Sequence, residues 1–259
     1  VSEKNREGKR AARDRLAQER EQQKARDRRR RALIVSSAVV GVLGLAAIAG
    51  VIAANSGDGD KKDASGPAAP PTGATGKDKL TIPVGEDSAK STLTIWEDFR
   101  CPACASFETQ YSPTIHELTD KGQLKVEYRL ATIIDGNMGG TGSVNAANAA
   151  ACAQDAGKFV EYHDVLYKNQ PPETDDAFGK DSRLLELAEE VDGLDTAAFK
   201  KCVEDGEHVS WVNKSNDAFR AGNFTGTPTV LLDGKNIFAD QNNPLTPEKL
   251  KQQVEAAAK

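Results

Sequence analysis

Residues 91–104 read STLTIWEDFRCPAC, and this stretch decides the fold. Ser91 to Asp98 is rich in β-branched and aromatic residues and reads as a strand. Three residues after Asp98 comes Cys101, with Pro102 directly behind it and Cys104 three positions further on. Proline suits the first turn of a helix, where its missing N–H removes no hydrogen bond. The spacing therefore predicts a helix from Cys101 to Lys121, kinked at Pro113. Gln123 to Thr132 (QLKVEYRLAT) alternates with period two and predicts the next strand. Strand, helix and strand together have the length of a right-handed parallel crossover.

Working outward, residues 143–222 read as helical pieces: Asn145–Asp155, Lys158–Lys168, Ser182–Val191, Thr196–Glu204 and Glu207–Ala221. Thr229–Leu232 and Asn236–Phe238 flank Asp233-Gly234, a hairpin signal. Thr246-Pro247-Glu248 then opens a last amphipathic helix. The order is β-α-β, a helical block, then β-β-α, an α/β domain over 80–259 with a helical insertion at about 143–205.

The rest of the 259-residue chain is segregated by charge. Residues 1–31 hold 13 Lys+Arg against 6 Asp+Glu, residues 32–54 hold no charge, and residues 55–79 hold 4 of each sign. Residues 80–259 hold 17 Lys+Arg and 29 Asp+Glu, a net charge of -12. A surface that tracks phosphates needs clustered Lys and Arg, so this balance excludes nucleic acid as a partner of the main domain. At about 1.5 Å per residue, the uncharged run of 23 residues rises far enough to cross a hydrocarbon core, and predicts one transmembrane helix. Arg28 to Arg31 abut its start, which places the basic tail 1–31 in the cytoplasm and everything after Asn55 outside. A cleavable signal peptide is the competing reading, with Ala47-Ile48-Ala49 as its small-x-small site. The anchor is preferred because both tail and run are long for a signal. Residues 55–79 carry no aromatic or long aliphatic side chain, so they read as a flexible tether.

The cysteines carry the chemistry. All 4 lie beyond the apolar run, as an oxidising compartment on its far side would require. A thiol at a helix N-terminus faces unpaired backbone N–H groups and the positive end of the dipole, which favours its thiolate. Cys101 is thus expected to be the exposed, attackable sulfur and Cys104, one turn on, the resolving one. A purely structural Cys101–Cys104 bridge is disfavoured, because closing so small a loop removes little unfolded-state entropy. A zinc site would need a second close pair of Cys or His. Cys152 and Cys202 stand far apart and His116, His163 and His208 show no ligand spacing, so no metal is expected. For Cys152 and Cys202, both in predicted helices, a stabilising bridge is favoured over a second active site. His163, among apolar and aromatic residues in EYHDVLY, reads as a packed or capping side chain.

DFRCPAC after a hydrophobic strand, YHDVLY in a helical insertion, and Gly226-Thr227-Pro228 leading into a strand with Asp-Gly resemble the DsbA branch of the thioredoxin fold. The arrangement is similar to that of membrane-anchored DsbA-like proteins of actinobacteria, with E-D-F-x-C-P-A-C and one Cys in each of two insertion helices. The resemblance spans residues 80–257. It implies a cis Thr227-Pro228 bond facing the dithiol, with the adjacent backbone pairing with an extended substrate segment. It implies that Cys152 and Cys202 are joined. It further implies a thiol:disulfide oxidoreductase without a cofactor, acting on exported proteins with free thiols. Its re-oxidant would be a quinone-linked membrane protein of the DsbB or vitamin K epoxide reductase type. A disulfide reductase or isomerase on the same fold, and a non-catalytic peptide-binding assembly factor, are the alternatives. Two departures stand out. Many relatives carry a carboxylate six residues before the first Cys, where this chain has Ile95. Strongly oxidising relatives carry His before the second Cys, where it has Ala103, which points to a milder oxidant.

Overall fold

Two parallel strands, β2 (Ser91–Glu97) and β3 (Leu124–Leu130), form the centre of the sheet, in the register Leu93↔Val126 and Ile95↔Tyr128. Both alternate, so one face of the pair carries Leu93, Ile95, Val126, Tyr128 and Leu130, all buried. Glu97 ends β2 on that same face and is buried with them. The structure, a computed structural model, describes residues 67–240 and 243–257. The basic tail 1–31, the apolar run 32–54 and the start of the tether lie outside the described residues. Among the described residues, no helix is long and apolar enough to cross a membrane.

The sheet has five strands in the order β1-β3-β2-β4-β5. The edge strand β1 (Ile82–Val84) runs antiparallel to β3, while β4 (Thr229–Leu232) runs antiparallel to β2. The Asp233-Gly234 turn has φ of 49° and 79°, the positive values of a tight hairpin, and joins β4 to β5 (Lys235–Asn236). The second strand of this hairpin is shorter than its sequence indicates. Ile237 still donates its N–H to the Val230 carbonyl, but Phe238 leaves the ladder and packs edge-on against Phe107.

Helix α1 (Pro102–Asp120) crosses from β2 to β3 and contains Pro113 without ending there. The helical insertion begins earlier than expected, with α2 (Ile133–Met138), whose Gly-Asn sequence carries no helical periodicity. It continues through α3 (Gly142–Asp155), α4 (Phe159–Lys168), α5 (Asp181–Ala188) and α6 (Ala197–Asp205). Helix α7 (Val209–Ala221) leads back to the sheet, and α8 (Pro247–Ala257) packs on α1. Helix α3 is the hub of the insertion: Ala146, Ala147, Ala149, Ala150, Ala151 and Ala153 are all buried, and their small side chains let its neighbours approach closely. A 2.02 Å disulfide joins Cys152 of α3 to Cys202 of α6, as the resemblance implies. Closing a loop of 50 residues contributes about 4 kcal/mol in the chain-entropy model.

The flexible tether expected over 55–79 is corrected at its C-terminal end. The carbonyl of Ala69 meets His208 Nδ1 at 2.7 Å, and His208 Nε2 meets Asp155 at 2.8 Å. Thr72 donates its N–H to Asp155 and accepts from Gln154, while Trp211 donates to the Lys79 carbonyl at 2.7 Å. Composition gave no sign of this docking, because it runs through the tether's backbone, which every sequence supplies.

Candidate active site

The site is set by register. Trp96 of β2 pairs with Thr229 of β4, so the loop entering β4 lies beside the end of β2, where the chain turns into α1. Cys101 occupies the N-cap of α1 with extended backbone (φ -77°, ψ 117°), and Pro102 follows in the first turn. The Thr227-Pro228 bond is cis. The Thr227 carbonyl accepts a hydrogen bond from Cys101 Sγ at 3.3 Å, which brings together the two motifs that lie 126 residues apart.

Both thiols are free, and they differ in environment. Cys101 is less open than its N-cap position predicts: 7% of its surface is exposed, against none of Cys104. The Cys101 thiol is lowered from 9.0 to about 6, chiefly by the hydrogen bond from Cys104; the Thr227 side chain and the backbone N–H groups of Cys104 and Ala103 add to this against the cost of burial. Cys104 is pushed well above 9.0, first by burial, then by its hydrogen bond to Cys101 and the nearby charges of Cys101 and Glu97. Ala103 offers no side-chain donor, so backbone N–H groups supply what residue 103 contributes.

Supporting contacts hold this corner rigid. Gln170 Nε2 donates to the carbonyls of Phe99 and Cys101 at 2.9 and 3.0 Å. Arg100 is buried and pairs with Asp135 at 2.5 Å and Asp176 at 3.0 Å. Those carboxylates also cap α3: Asp135 accepts from the N–H groups of Ser143 and Val144, and Asp176 from those of Thr141 and Gly142. A Cβ on Gly142 would lie 2.5 Å from Asp176 and 2.9 Å from Arg100, so only glycine fits there. Asp98 is buried and raised to about 6 by that burial, against the N–H groups of Arg100 and Ile134 that bond its carboxylate.

This geometry is accompanied by a family match: the model described as thioredoxin fits residues 77–256. The chain belongs to the thioredoxin family. Within it, the chain is a DsbA-like thiol-disulfide oxidoreductase. It is similar to disulfide bond formation protein D of Bacillus subtilis, 28% identical over 162 residues that span 61% of this chain and 70% of that one. The reduced DsbA of Mycobacterium tuberculosis is 26% identical with a TM-score of 0.59, covering 69% of this chain and 92% of that chain. BdbD from Bacillus subtilis shares the fold, with a TM-score of 0.58 at 24% identity over 73% of this chain and 96% of the other.

In this DsbA-like oxidoreductase, Ile95 is buried in the core, and the carboxylate whose charge reaches Cys104 is that of Glu97. Glu97 meets His163 Nε2 at 2.9 Å, both side chains being 1% exposed. The packed role expected for His163 is met by rings of Phe99, Tyr128, Phe159 and Tyr167 around it. Its ion pair with Glu97 has no signature in the sequence, because the two residues are separated by 66 positions. His163 lies well above 6.5 despite its burial, held there by the charge of Glu97 and the hydrogen bonds to Asp164 and Glu97. Among the described residues, two groups of side chains are close enough together to hold an ion: Glu97, Glu108 and His163, and Cys152, Cys202 and His208. In the second group both sulfurs are consumed by the disulfide.

The depressed Cys101 thiol sets a pH dependence. A thiol lowered in the folded protein stabilises the dithiol form fully above the unfolded value of about 9, and that stabilisation is lost as pH falls through about 6. Iodoacetamide alkylation of the reduced protein, followed by mass spectrometry, should show Cys101 reacting with a midpoint near pH 6 and Cys104 silent throughout that range. A Cys101 midpoint near 9 would show that the corner does not activate it.

Proposed function

We propose that this oxidoreductase is a membrane-tethered extracytoplasmic oxidase that introduces disulfides into exported proteins through Cys101 and Cys104. The observation that carries this reading is the asymmetry of the two thiols, Cys101 lowered to about 6 and Cys104 raised well above 9.0. A low thiol at the attacked position stabilises the dithiol product, which makes the disulfide form an electron acceptor.

A substrate thiolate attacks Cys101 Sγ in the disulfide form; the new S–S bond forms as the Cys101–Cys104 bond breaks, and Cys104 leaves with the electron pair. Buried Cys104 takes up a proton, since its thiolate is disfavoured there. The substrate's second thiolate then attacks its own sulfur in the mixed disulfide, and Cys101 departs as a stable thiolate. Two electrons have passed from the substrate to the pair, and the substrate holds the new disulfide. The backbone at Thr227 and Pro228, which borders Cys101 through the Thr227 carbonyl, is the place for an extended substrate segment to lie. Turnover requires a re-oxidant, proposed as a quinone-linked membrane protein of the DsbB or vitamin K epoxide reductase type. The apolar run 32–54 behind Arg28–Arg31 supports a single-pass anchor with the catalytic domain outside.

The direction is tested by acid quenching of cells and thiol alkylation with a mass tag. An oxidase keeps Cys101 and Cys104 mostly oxidised at steady state. A pair found mostly reduced, while Cys152 and Cys202 stay bridged, would make the protein a reductase or isomerase fed by an electron donor.

A further inference from the structure

We propose that Glu97, Glu108 and His163 form a buried site for a single divalent transition-metal ion, of which zinc is the best match, behind the Cys101–Cys104 pair. The three side chains come from the end of β2, the second turn of α1 and the middle of α4, and one donor atom from each lies within 4.8 Å of the others. Two carboxylates and one imidazole, with a fourth position left for water, are an oxygen and nitrogen set that zinc accepts. None of the three donors is a cysteine, so metal binding there can be measured apart from the redox step proposed above.

Two observations separate this cluster from an ordinary buried ion pair. Glu97 Oε2 and Glu108 Oε1 are buried and have no hydrogen-bond partner among the described residues, although each belongs to a side chain almost wholly out of solvent. Orphaned carboxylate oxygens are costly, and a cation between them would supply the missing partner. The second is the outer ring. His163 Nδ1 faces Asp164 Oδ1 at 3.4 Å, which leaves Nε2 directed at the carboxylates, and Ser112 donates its hydroxyl to Glu108 Oε2. A carboxylate behind the far nitrogen of a histidine is the usual support of a metal-bound imidazole. The Tyr167 hydroxyl, also buried without a partner, stands beside the same acids. A cavity of about 420 Å³ lined by Glu108, Ser112, Asp164 and Tyr167 borders the cluster on its Glu108 side. Sequence spacing does not announce the site, since its ligands are distant in the chain and no two share a helix turn.

The test uses the full-length protein in its oxidised form, so that no free thiol competes, titrated with Zn²⁺ against a chromophoric chelator. One equivalent should bind saturably and raise the melting temperature. Glu108→Gln should weaken binding at least tenfold, and Asp164→Asn, a change at a partly exposed position that spares the fold, should weaken it by about tenfold. Co²⁺ in the wild-type protein should give tetrahedral d–d bands without sulfur charge transfer, a readout that holds even if a variant fails to fold. Absence of saturable Zn²⁺ binding, binding undiminished in a folded Glu108→Gln protein, or sulfur in the Co²⁺ spectrum would each overturn the site.

Discussion

Replacing Cys101 by Ser should abolish disulfide transfer, lowering the rate at which the protein oxidises a reduced cysteine peptide in a glutathione buffer by about a thousandfold or more. The magnitude follows from the chemistry. The hydroxyl that replaces the thiol can neither form the disulfide nor act as a nucleophile at neutral pH, so only uncatalysed exchange remains. The fold should be indifferent, because oxygen replaces sulfur at a helix N-cap, where serine is a favoured residue. Circular dichroism of the variant should therefore match the parent protein. Exchange persisting within tenfold of the parent rate would end the assignment of Cys101 as the attacked sulfur.

A large effect on stability is expected at Arg100. Its guanidinium is buried, pairs with Asp135 and Asp176, and donates to the carbonyls of Gly139 and Glu173 at 2.9 and 3.1 Å. Arg100→Met keeps most of the volume and removes the charge, leaving two carboxylates at the N-terminus of α3 and two carbonyls without their donor. Breaking a buried pair in this way costs about 3–5 kcal/mol. Partial solvation of Asp176 and the N–H groups that cap both acids favour the lower end. Chemical denaturation should report that loss, and a change below about 1 kcal/mol would show that the cap alone holds α3 to the active-site corner. Because Arg100 lies between the strand and Cys101, the same variant should loosen the corner and broaden the pH profile of Cys101 alkylation.

Much of this architecture was legible in local pattern. The period-two alternation of QLKVEYRLAT, Asp-Gly between two short strands, and Pro102 and Pro247 at helix starts each state a local preference that the tertiary structure keeps. The dithiol was legible for the same reason, since the strand-to-helix corner and the spacing of the two cysteines are consecutive in sequence. What escaped was long-range or small. β1 is three residues long and gains its identity only by pairing with β3. α2 contains Gly136 and Asn137 and is held by Asp98 bonding the N–H of Ile134, a contact no periodicity encodes. Gln170 and Asp176 reach the site from loops of the insertion and Asp135 from the short helix α2, where polar residues are too common to stand out. The burial of Cys101 was missed because the N-cap position fixes where the sulfur starts, whereas the cis Thr227-Pro228 loop that covers it is placed by the pairing of β4 with β2. Glu97 illustrates the limit well: alternation puts it on the core face of β2, and only α4 carrying His163 against that face explains how a carboxylate is accommodated there.

The central claim proposed above is that Cys101 is the sulfur joined to exported proteins in the mixed disulfide, from which attack by the Cys104 thiol can release them. Its most direct test is a Cys104→Ser protein expressed in cells, quenched with acid, purified and analysed by mass spectrometry for covalent adducts. The predicted result is a set of exported, cysteine-containing proteins joined through Cys101 and released by reductant. Recovery of no adducts, or of adducts joined through Cys152 or Cys202 instead, would contradict it.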